Sequence, residues 1–218
     1  MNAAVYNPTL YFVSALRAAL IANGIEVRGE AVDIDDLAVP PSTDRGVLLL
    51  SHYSAPLPAL AMTMMKLSQN LFAETLLYAT GPSQPRLVFE GWGIPPGDVL
   101  IADGSGLSRY NLVTPEALVT MLAHVAADER LRQPFVASLP IAGRDGSLDD
   151  RMKGTAAEGN ARAKTGSFSN ARSLSGYVRT ADGEPLVFSI LANNYGVPAE
   201  AIDQATDAIV VRLAEFKR

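Results

Sequence analysis

The chain lacks several residue types that whole classes of function require. It has 218 residues, no cysteine and only two histidines, His52 and His124. Disulfides, thiolate nucleophiles and cysteine zinc sites are therefore excluded, two histidines cannot form a histidine metal cluster, and we expect neither a metal nor a cofactor. The net charge is −5, which argues against nucleic acid as a partner because such binding needs clustered lysine and arginine. No segment approaches the roughly 18 apolar residues that span a bilayer, so no transmembrane segment is expected.

The residues that are present favour a packed domain. Hydrophobic residues make up 48% of the sequence, which is ample for a core, and the length fits a single domain over residues 1–218. The N-terminus shows no basic region followed by an apolar core, so no signal peptide is visible. Met1 is followed at once by a helix-like pattern, which suggests a start placed on an internal fragment.

Apolar periodicity and turn residues predict an α+β fold. Helices are predicted after Asn7-Pro8, from Pro58, over 71–79, after Thr114-Pro115 and from Pro198. Strands are predicted over 25–31, 47–51, 161–167, 172–180 and 186–192. The last three form an antiparallel meander with a hairpin turn at Asp182-Gly183. The last helix is expected to cover this sheet through Ile202, Ala205, Ile209, Leu213 and Phe216.

Lys164-Thr165-Gly166-Ser167 lies on the first strand of the predicted meander. An ammonium beside two hydroxyls can bind a small carboxylate, and a glycine lets a ligand backbone come close to the strand. The structural alternative is an edge strand with a solvated lysine and an ordinary glycine.

Two other polar segments have simple structural interpretations of their own. Ser68-Gln69-Asn70 interrupts two helical runs and is interpreted as a helix cap, because serine and asparagine side chains accept hydrogen bonds from free N–H groups. The string from Asp103 to Arg109, Asp-Gly-Ser-Gly-Leu-Ser-Arg, is interpreted as a connector in which Asp103 and Ser105 bond their own backbone. A phosphate-binding loop is disfavoured because no Walker lysine follows.

The combination of these motifs changes the interpretation. Ser-x-Asn at a helix junction, followed by Lys-Thr-Gly-Ser on a strand, is similar to the second and third motifs of the serine acyl-enzymes, which include penicillin-binding proteins and class A β-lactamases. The sequence around these motifs resembles that of class C low-molecular-mass penicillin-binding proteins, the D-alanyl-D-alanine carboxypeptidases/endopeptidases of bacterial walls. The matching segments are Met65–Glu74, Asp103–Arg109 with Asn111 and Thr114-Pro115, Leu139–Gly143 with Asp145–Leu148, Ala163–Phe168 and Leu174–Val178. The Asp103–Arg109 string is the most specific of them.

The sequence departs from that family in two places. Gln69 stands where the family usually has aspartate, at a position that is not catalytic. No serine is followed by lysine three positions later, so the Ser-x-x-Lys motif of the nucleophile is absent from these residues. Thr63-Met64-Met65-Lys66 imitates its spacing and is interpreted as coincidence. The resemblance thus implies a penicillin-binding-protein/β-lactamase-like fold that is incomplete at the N-terminus, from a fragment that is not competent alone.

The resemblance also implies a mechanism and three catalytic residues. A nucleophilic serine attacks the D-Ala–D-Ala carbonyl and forms an acyl-enzyme that water hydrolyses. By motif, Ser68 would relay a proton to the leaving amine and Asn70 would hold a substrate amide. Lys164 would favour proton loss at Ser68 and attract the substrate carboxylate.

Substrate contacts are implied on the strand and on the glycine-rich loop. The hydroxyls of Thr165 and Ser167 would bind the terminal carboxylate, and the Ser167 N–H would form half of an oxyanion hole. Gly166 and Phe168 complete the strand side of the site. From the loop, Ser105, Leu107 and Arg109 would face the peptide stem, with Arg109 suited to a distal carboxylate.

Three hypotheses follow from this sequence. The leading one is a serine-type carboxypeptidase fragment that acts on peptidoglycan stem peptides, binds β-lactams and works outside the cytoplasm. The second is a non-catalytic peptidoglycan- or peptide-binding module, and a β-lactamase-like protein is a separate, distant alternative. The third is a structural α+β domain with chance motifs. Apolar surface left uncovered by a missing segment would favour a homo-oligomer.

Overall fold

A computed structural model describes residues 5–39, 41–42, 47–48, 50–81 and 84–218 of the chain. Two compact units are present, Met1–Tyr53 and Ser54–Arg218. The expected single domain over 1–218 stays a prediction, and each unit is described by itself. None of the described helices is long and apolar enough to cross a membrane.

The first unit contains helix α1, Pro8–Ala22, and a 3₁₀ turn, Ile34–Asp36. The predicted cap is confirmed, since Asn7 Oδ1 accepts the Leu10 N–H at 2.8 Å. The strand predicted over 25–31 is wrong: no strand pairs with this segment, and the Gly29 carbonyl accepts instead from Arg17 Nε at 2.8 Å. The strand predicted over 47–51 is also wrong where the structure describes it, because residues 47–48 and 50–51 are exposed and unpaired; residue 49 lies outside the described residues.

The second unit begins with helices and ends with a sheet. Its helices are α2 Leu57–Leu67, α3 Asn70–Thr80, α4 Gln84–Gly91, α5 Pro115–Ala127, α6 Glu129–Ser138 and α7 Ala199–Glu215. Short strands β1 Val99–Leu100 and β2 Leu112–Val113 form an antiparallel pair. The helices predicted from Pro58, over 71–79, after Thr114-Pro115 and from Pro198 are confirmed, whereas α4 and α6 were not predicted.

The predicted meander is confirmed. Strands β3 Arg162–Phe168, β4 Ala171–Arg179 and β5 Pro185–Asn193 pair antiparallel in the order β3-β4-β5. One face buries Ala163, Leu174 and Val178 in a core that includes residues of α7. The other face meets α5, where the Tyr177 hydroxyl donates to the Leu122 carbonyl at 2.8 Å. The unit is therefore layered helix, sheet, helix, and β3 lies at the edge of the sheet.

Helix α7 covers the sheet with a face that only partly matches the predicted one: Leu213 packs against the core and Ile202 is half-buried, as predicted. The buried residues of α7 are Thr206, Val210 and Ala214, while Ile209 and Phe216 are about half exposed, at 48% and 51%. Arg151 explains the difference, because its guanidinium donates to Thr206 Oγ1 and to the Asp207 carboxylate at 3.1 and 2.7 Å. This polar contact turns residues 206 and 207 toward the body of the unit, which an apolar pattern alone cannot indicate.

Candidate active site

Ser68 occupies a strained backbone position at the end of α2. Its φ of 54° and ψ of 50° are left-handed, a conformation that usually belongs to glycine at a helix end and that costs a non-glycine residue about 1–2 kcal/mol. The predicted cap is wrong, since the residue before α3 is Gln69 and no side chain caps that helix. The Ser68 hydroxyl has a different partner, on β3.

Lys164 is that partner. Its Nζ donates to Ser68 Oγ at 2.9 Å across 96 residues of sequence, and to the Thr165 carbonyl at 2.8 Å. Burial lowers the pKa of the Lys164 ammonium below its ordinary value. The contact between the two motifs that the sequence hypothesis requires is therefore present.

The contact lies at the open edge of β3. Beside the start of this strand, the Ala163 N–H donates to the Pro140 carbonyl and the Ala142 N–H donates to the Ala161 carbonyl, both at 3.0 Å. N–H groups alternate in direction along a strand, so the N–H groups of Thr165 and Ser167 point to the same edge, beyond the stretch that residues 140–142 cover. Lys164 thus reaches Ser68 beside an edge whose Thr165 and Ser167 N–H groups donate to no other described residue and can donate to a ligand.

The side chains of β3 have separate partners. Thr165 Oγ1 donates to Ser147 Oγ at 2.7 Å, so its hydroxyl is already hydrogen-bonded on the core side of the strand. Gly166 pairs with Ser173 on β4, whose hydroxyl occupies the place where a Cβ would lie. A side chain at residue 166 would therefore displace the Ser173 hydroxyl. Ser167 is exposed.

The glycine-rich loop is closed and rigidly bonded. The β1–β2 pair joins its base, and inside it Asp103 accepts the N–H groups of Gly106 and Ser108, both at 2.6 Å. Burial alone would raise the pKa of Asp103, but these bonds and one from Asn111 outweigh it and hold the pKa below its ordinary value. The connector interpretation thus describes the backbone of this loop correctly.

Helix α3 holds the same loop in place. The Glu74 carboxylate accepts the N–H groups of Gly104 and Ser105, each at 3.1 Å. Hydrogen bonds from Ser105 and Gly104 lower the pKa of Glu74. Gly104 packs so closely on α3 that an added Cβ would lie 2.7 Å from the Ala73 carbonyl carbon. Glu74 lies one turn after Asn70, so the loop is tied to the helix that begins with Asn70.

The loop also touches β3 through a cation–π contact. The Arg109 guanidinium carbon lies 5.0 Å from the centre of the Phe168 ring. Leu107 is about half exposed, and Asn70 is exposed at the first position of α3. The structure thus joins Ser68 to Lys164 and Arg109 to Phe168. It shows no side-chain hydrogen bond for Asn70 or Ser167 to the described residues.

The Lys66 ammonium is hydrogen-bonded to groups other than Thr63. This supports the interpretation that the Ser-x-x-Lys-like spacing of Thr63–Lys66 is a coincidence. Lys66 Nζ donates to Asp145 Oδ2 at 2.6 Å and to the Leu139 carbonyl at 3.0 Å. Thr63 Oγ1 instead donates back to the Ala59 carbonyl at 3.4 Å. The lysine therefore does not activate this threonine.

Four residues of the site region escaped the sequence reasoning. Ser147, Asp145 and Glu74 fell inside the quoted family segments without a role, and Lys66 was set aside. Their partners on other elements lie between 18 and 79 residues away in sequence, so local spacing carried no signal for these contacts. Among the described residues, no group of histidine, aspartate and glutamate side chains is arranged to hold a metal ion.

The arrangement suits acyl-transfer chemistry. A partly desolvated ammonium beside a serine hydroxyl can share protons with it, and outward N–H groups on an adjacent strand can stabilise an oxyanion. This combination on a helix–sheet–helix fold is that of the penicillin-binding proteins. A crystal structure of penicillin binding protein 4 (dacB) from Haemophilus influenzae matches 98% of this chain and 50% of its own, with a TM-score of 0.85 and 29% identity. The same protein in complex with a novel β-lactam matches 98% of this chain and 53% of its own, also with a TM-score of 0.85 and 29% identity.

The sequence comparison gives the family. Residues 1–216 match the D-Ala-D-Ala carboxypeptidase 3 (S13) family, and the chain belongs to it. A D-alanyl-D-alanine carboxypeptidase from Actinomadura sp. is 39% identical over 215 residues, which cover 91% of this chain and 39% of that relative. The chain thus spans about half or less of the length of these proteins. The predicted family and penicillin-binding-protein fold are confirmed.

Proposed function

We propose that this chain forms the proton-relay and carboxylate-binding part of a serine-type D-Ala-D-Ala carboxypeptidase. The observation that carries the proposal is the 2.9 Å contact between Lys164 Nζ and Ser68 Oγ at the open edge of β3. In this role Ser68 passes a proton to the leaving D-Ala amine, and Lys164 keeps the hydroxyl polarised. Asn70, two residues further on, holds a substrate amide.

The substrate binds as an extended peptide along the edge of β3. Its terminal carboxylate is attracted by Lys164 and accepts hydrogen bonds from Thr165 and Ser167, for which the Thr165 hydroxyl exchanges its present partner, Ser147. The outward N–H of Ser167 supplies half of the oxyanion hole. Gly166 has no side chain, so the ligand backbone can lie close to the strand at this position.

The loop from Asp103 to Arg109 binds the peptide stem further from the scissile bond. Arg109 is exposed, and its position over the Phe168 ring leaves guanidinium N–H groups for a carboxylate on the stem. Ser105 and Leu107 line the same loop. Peptidoglycan stem peptides and β-lactams are therefore the proposed ligands, and the proposed location is outside the cytoplasm.

These 218 residues contain no Ser-x-x-Lys sequence. We therefore expect this chain by itself to bind the substrate carboxylate without forming an acyl-enzyme. A non-catalytic peptide-binding module would use the same edge of β3, so binding alone does not separate the two. Acyl transfer after addition of a Ser-x-x-Lys segment from a family member would favour the enzyme.

Helices α2 and α3 bury no residue fully, and Leu57, Leu67 and Leu71 are exposed on them. Exposed apolar side chains in this number support the expected self-association of the isolated chain. Light scattering measures it: a dimer or larger species is expected, and a monomer that binds no apolar dye would contradict it.

Calorimetric binding of an N-acyl-D-Ala-D-Ala peptide tests the proposed ligand. The matched ligand is the same peptide with a C-terminal amide, and the matched variants are Lys164→Met at the site and Lys153→Met on an exposed ion pair with Asp150. A hydrogen-bonded charge contributes about 1.5–3 kcal/mol, so the amide or Lys164→Met should weaken binding by about 10–100-fold. Equal binding of acid and amide, or an unaffected Lys164→Met variant, would refute the proposal.

A further inference from the structure

Helix α2 and strand β3 carry the two halves of the site, and a polar connection between them runs through residues 139–148. At its centre, Lys66 donates to Asp145 at 2.6 Å, and the two side chains are only 17% and 38% exposed. The other Asp145 oxygen accepts the Ile141 N–H at 2.9 Å. Burial alone would raise the pKa of Asp145, but the bonds from Lys66 and Ile141 outweigh it and lower the pKa.

The connection is tight at both ends. Gly146, at a φ of 61°, packs against the backbone of Lys66, where an added Cβ would lie 2.8 Å from the Lys66 carbonyl oxygen. The next residue, Ser147, accepts the hydroxyl of Thr165 on β3 at 2.7 Å. Ser68 follows Lys66 by two residues, so the ion pair fixes the end of α2 on which Ser68 lies.

We infer that the Lys66–Asp145 ion pair is a positioning device that sets Ser68 against Lys164 and Thr165. The direct Lys164–Ser68 hydrogen bond is a single contact to an exposed serine, so by itself it is a weak constraint on where the end of α2 lies. A partly buried ion pair with three hydrogen bonds, held at a glycine that admits no side chain, is the stronger constraint on the same geometry. Lys66 and Asp145 act through other residues and need not touch substrate.

This inference deepens the proposed function and rests on it for the roles of Ser68 and Lys164, but its test does not require catalysis. The chain has only four lysines, Lys66, Lys153, Lys164 and Lys217, so lysine labelled with ¹³C at Cε gives four NMR signals that single Lys→Arg substitutions assign. The pH titration of the Lys164 signal in the 218-residue chain is the readout.

The variant Asp145→Asn separates positioning from a simple charge effect, because the two effects would shift the pKa of Lys164 in opposite directions. Loss of a nearby negative charge by itself would lower the pKa of Lys164. Loss of positioning lets water reach the ammonium, which raises the pKa of Lys164 toward its ordinary value. We expect the rise, with the signal of Lys217 unchanged. Asp150→Asn, which removes an equal charge from an exposed ion pair, should leave Lys164 unaffected.

A lower or unchanged pKa of Lys164 in folded Asp145→Asn would overturn the inference. If this variant does not fold, the double variant Lys66→Met/Asp145→Asn decides, since it removes both charges together and replaces the pair by neutral groups. A rise in the pKa of Lys164 is again expected there, and its absence would overturn the inference. Neither outcome depends on whether the peptide of the binding experiment binds.

Discussion

Gly176 controls how closely β3 lies against β4, and an alanine there should displace the strand that carries Lys164. Gly176 pairs with Ala163, the residue before Lys164. An added Cβ would lie 2.6 Å from Ala163 Cα and closer still to the Arg162 carbonyl oxygen. The first distance is about 1 Å below the ~3.5 Å of an ordinary contact. The strands must therefore part, and we expect Gly176→Ala to destabilise the protein by about 1–3 kcal/mol.

Thermal unfolding measures this loss. For a chain of this length 1 kcal/mol corresponds to about 2–4 °C, so Tm should fall by about 2–12 °C. Gly97→Ala is the matched control: nothing lies within 4 Å of its added Cβ and its φ is not positive, so its stability should stay within about 0.5 kcal/mol. Gly176→Ala that unfolds at the wild-type temperature would refute the proposed close approach of β3 and β4.

Three further changes test the site and its support. Ser68→Gly should be about 1 kcal/mol more stable than Ser68→Ala in chemical denaturation, because both lack the hydroxyl but only glycine relieves the left-handed backbone; equal stabilities would contradict the strain. Burial raises the pKa of Tyr177 from 10.0 to about 12, so its stabilisation is present below pH 10 and lost as the pH rises through 12. Tyr177→Phe should destabilise the protein by about 1 kcal/mol at neutral pH. It should also reduce the loss of stability between pH 10 and 12. An unchanged dependence of the unfolding free energy on pH over this range would contradict the expectation. The lowered pKa of Asp103 makes its contribution present above pH 3.8 and lost at lower pH. The protection of the Gly106 and Ser108 amides, which donate to Asp103, measured as the hydrogen-exchange rate relative to that of an unstructured peptide at the same pH, should therefore fall in acid; unchanged protection would show that another group holds the loop.

The C-terminal sheet could be predicted because its signals are local. Strands β3 to β5 alternate regularly, and the turn at Asp182-Gly183 supplies the positive φ of 88° that a glycine allows at residue 183. Helix α6 could not be predicted because Pro134 lies inside it and interrupts the helical pattern. Residues 25–31 show the opposite case. Their apolar residues alternate, but among the described residues no strand pairs with them, so the predicted strand does not form.

The contact between the motif residues Ser68 and Lys164 could be predicted, whereas the residues that hold the candidate site in place could not. Short motifs identified Ser68 and Lys164, and the structure brings them together. The family segments contained Glu74, Asp145 and Ser147, but their roles depend on backbone groups and side chains in distant parts of the chain. A resemblance identifies the segment, and only the fold shows which side chain supports which.

In the proposed mechanism Ser68 relays a proton and is not itself the nucleophile. The sharpest alternative is a Ser–Lys pair, since Lys164 contacts the hydroxyl and burial lowers the pKa of Lys164. Intact-mass spectrometry of the 218-residue chain after incubation with penicillin separates them most directly. We expect an unmodified mass. A stoichiometric increase by one penicillin, mapped by peptide analysis to Ser68, would contradict it.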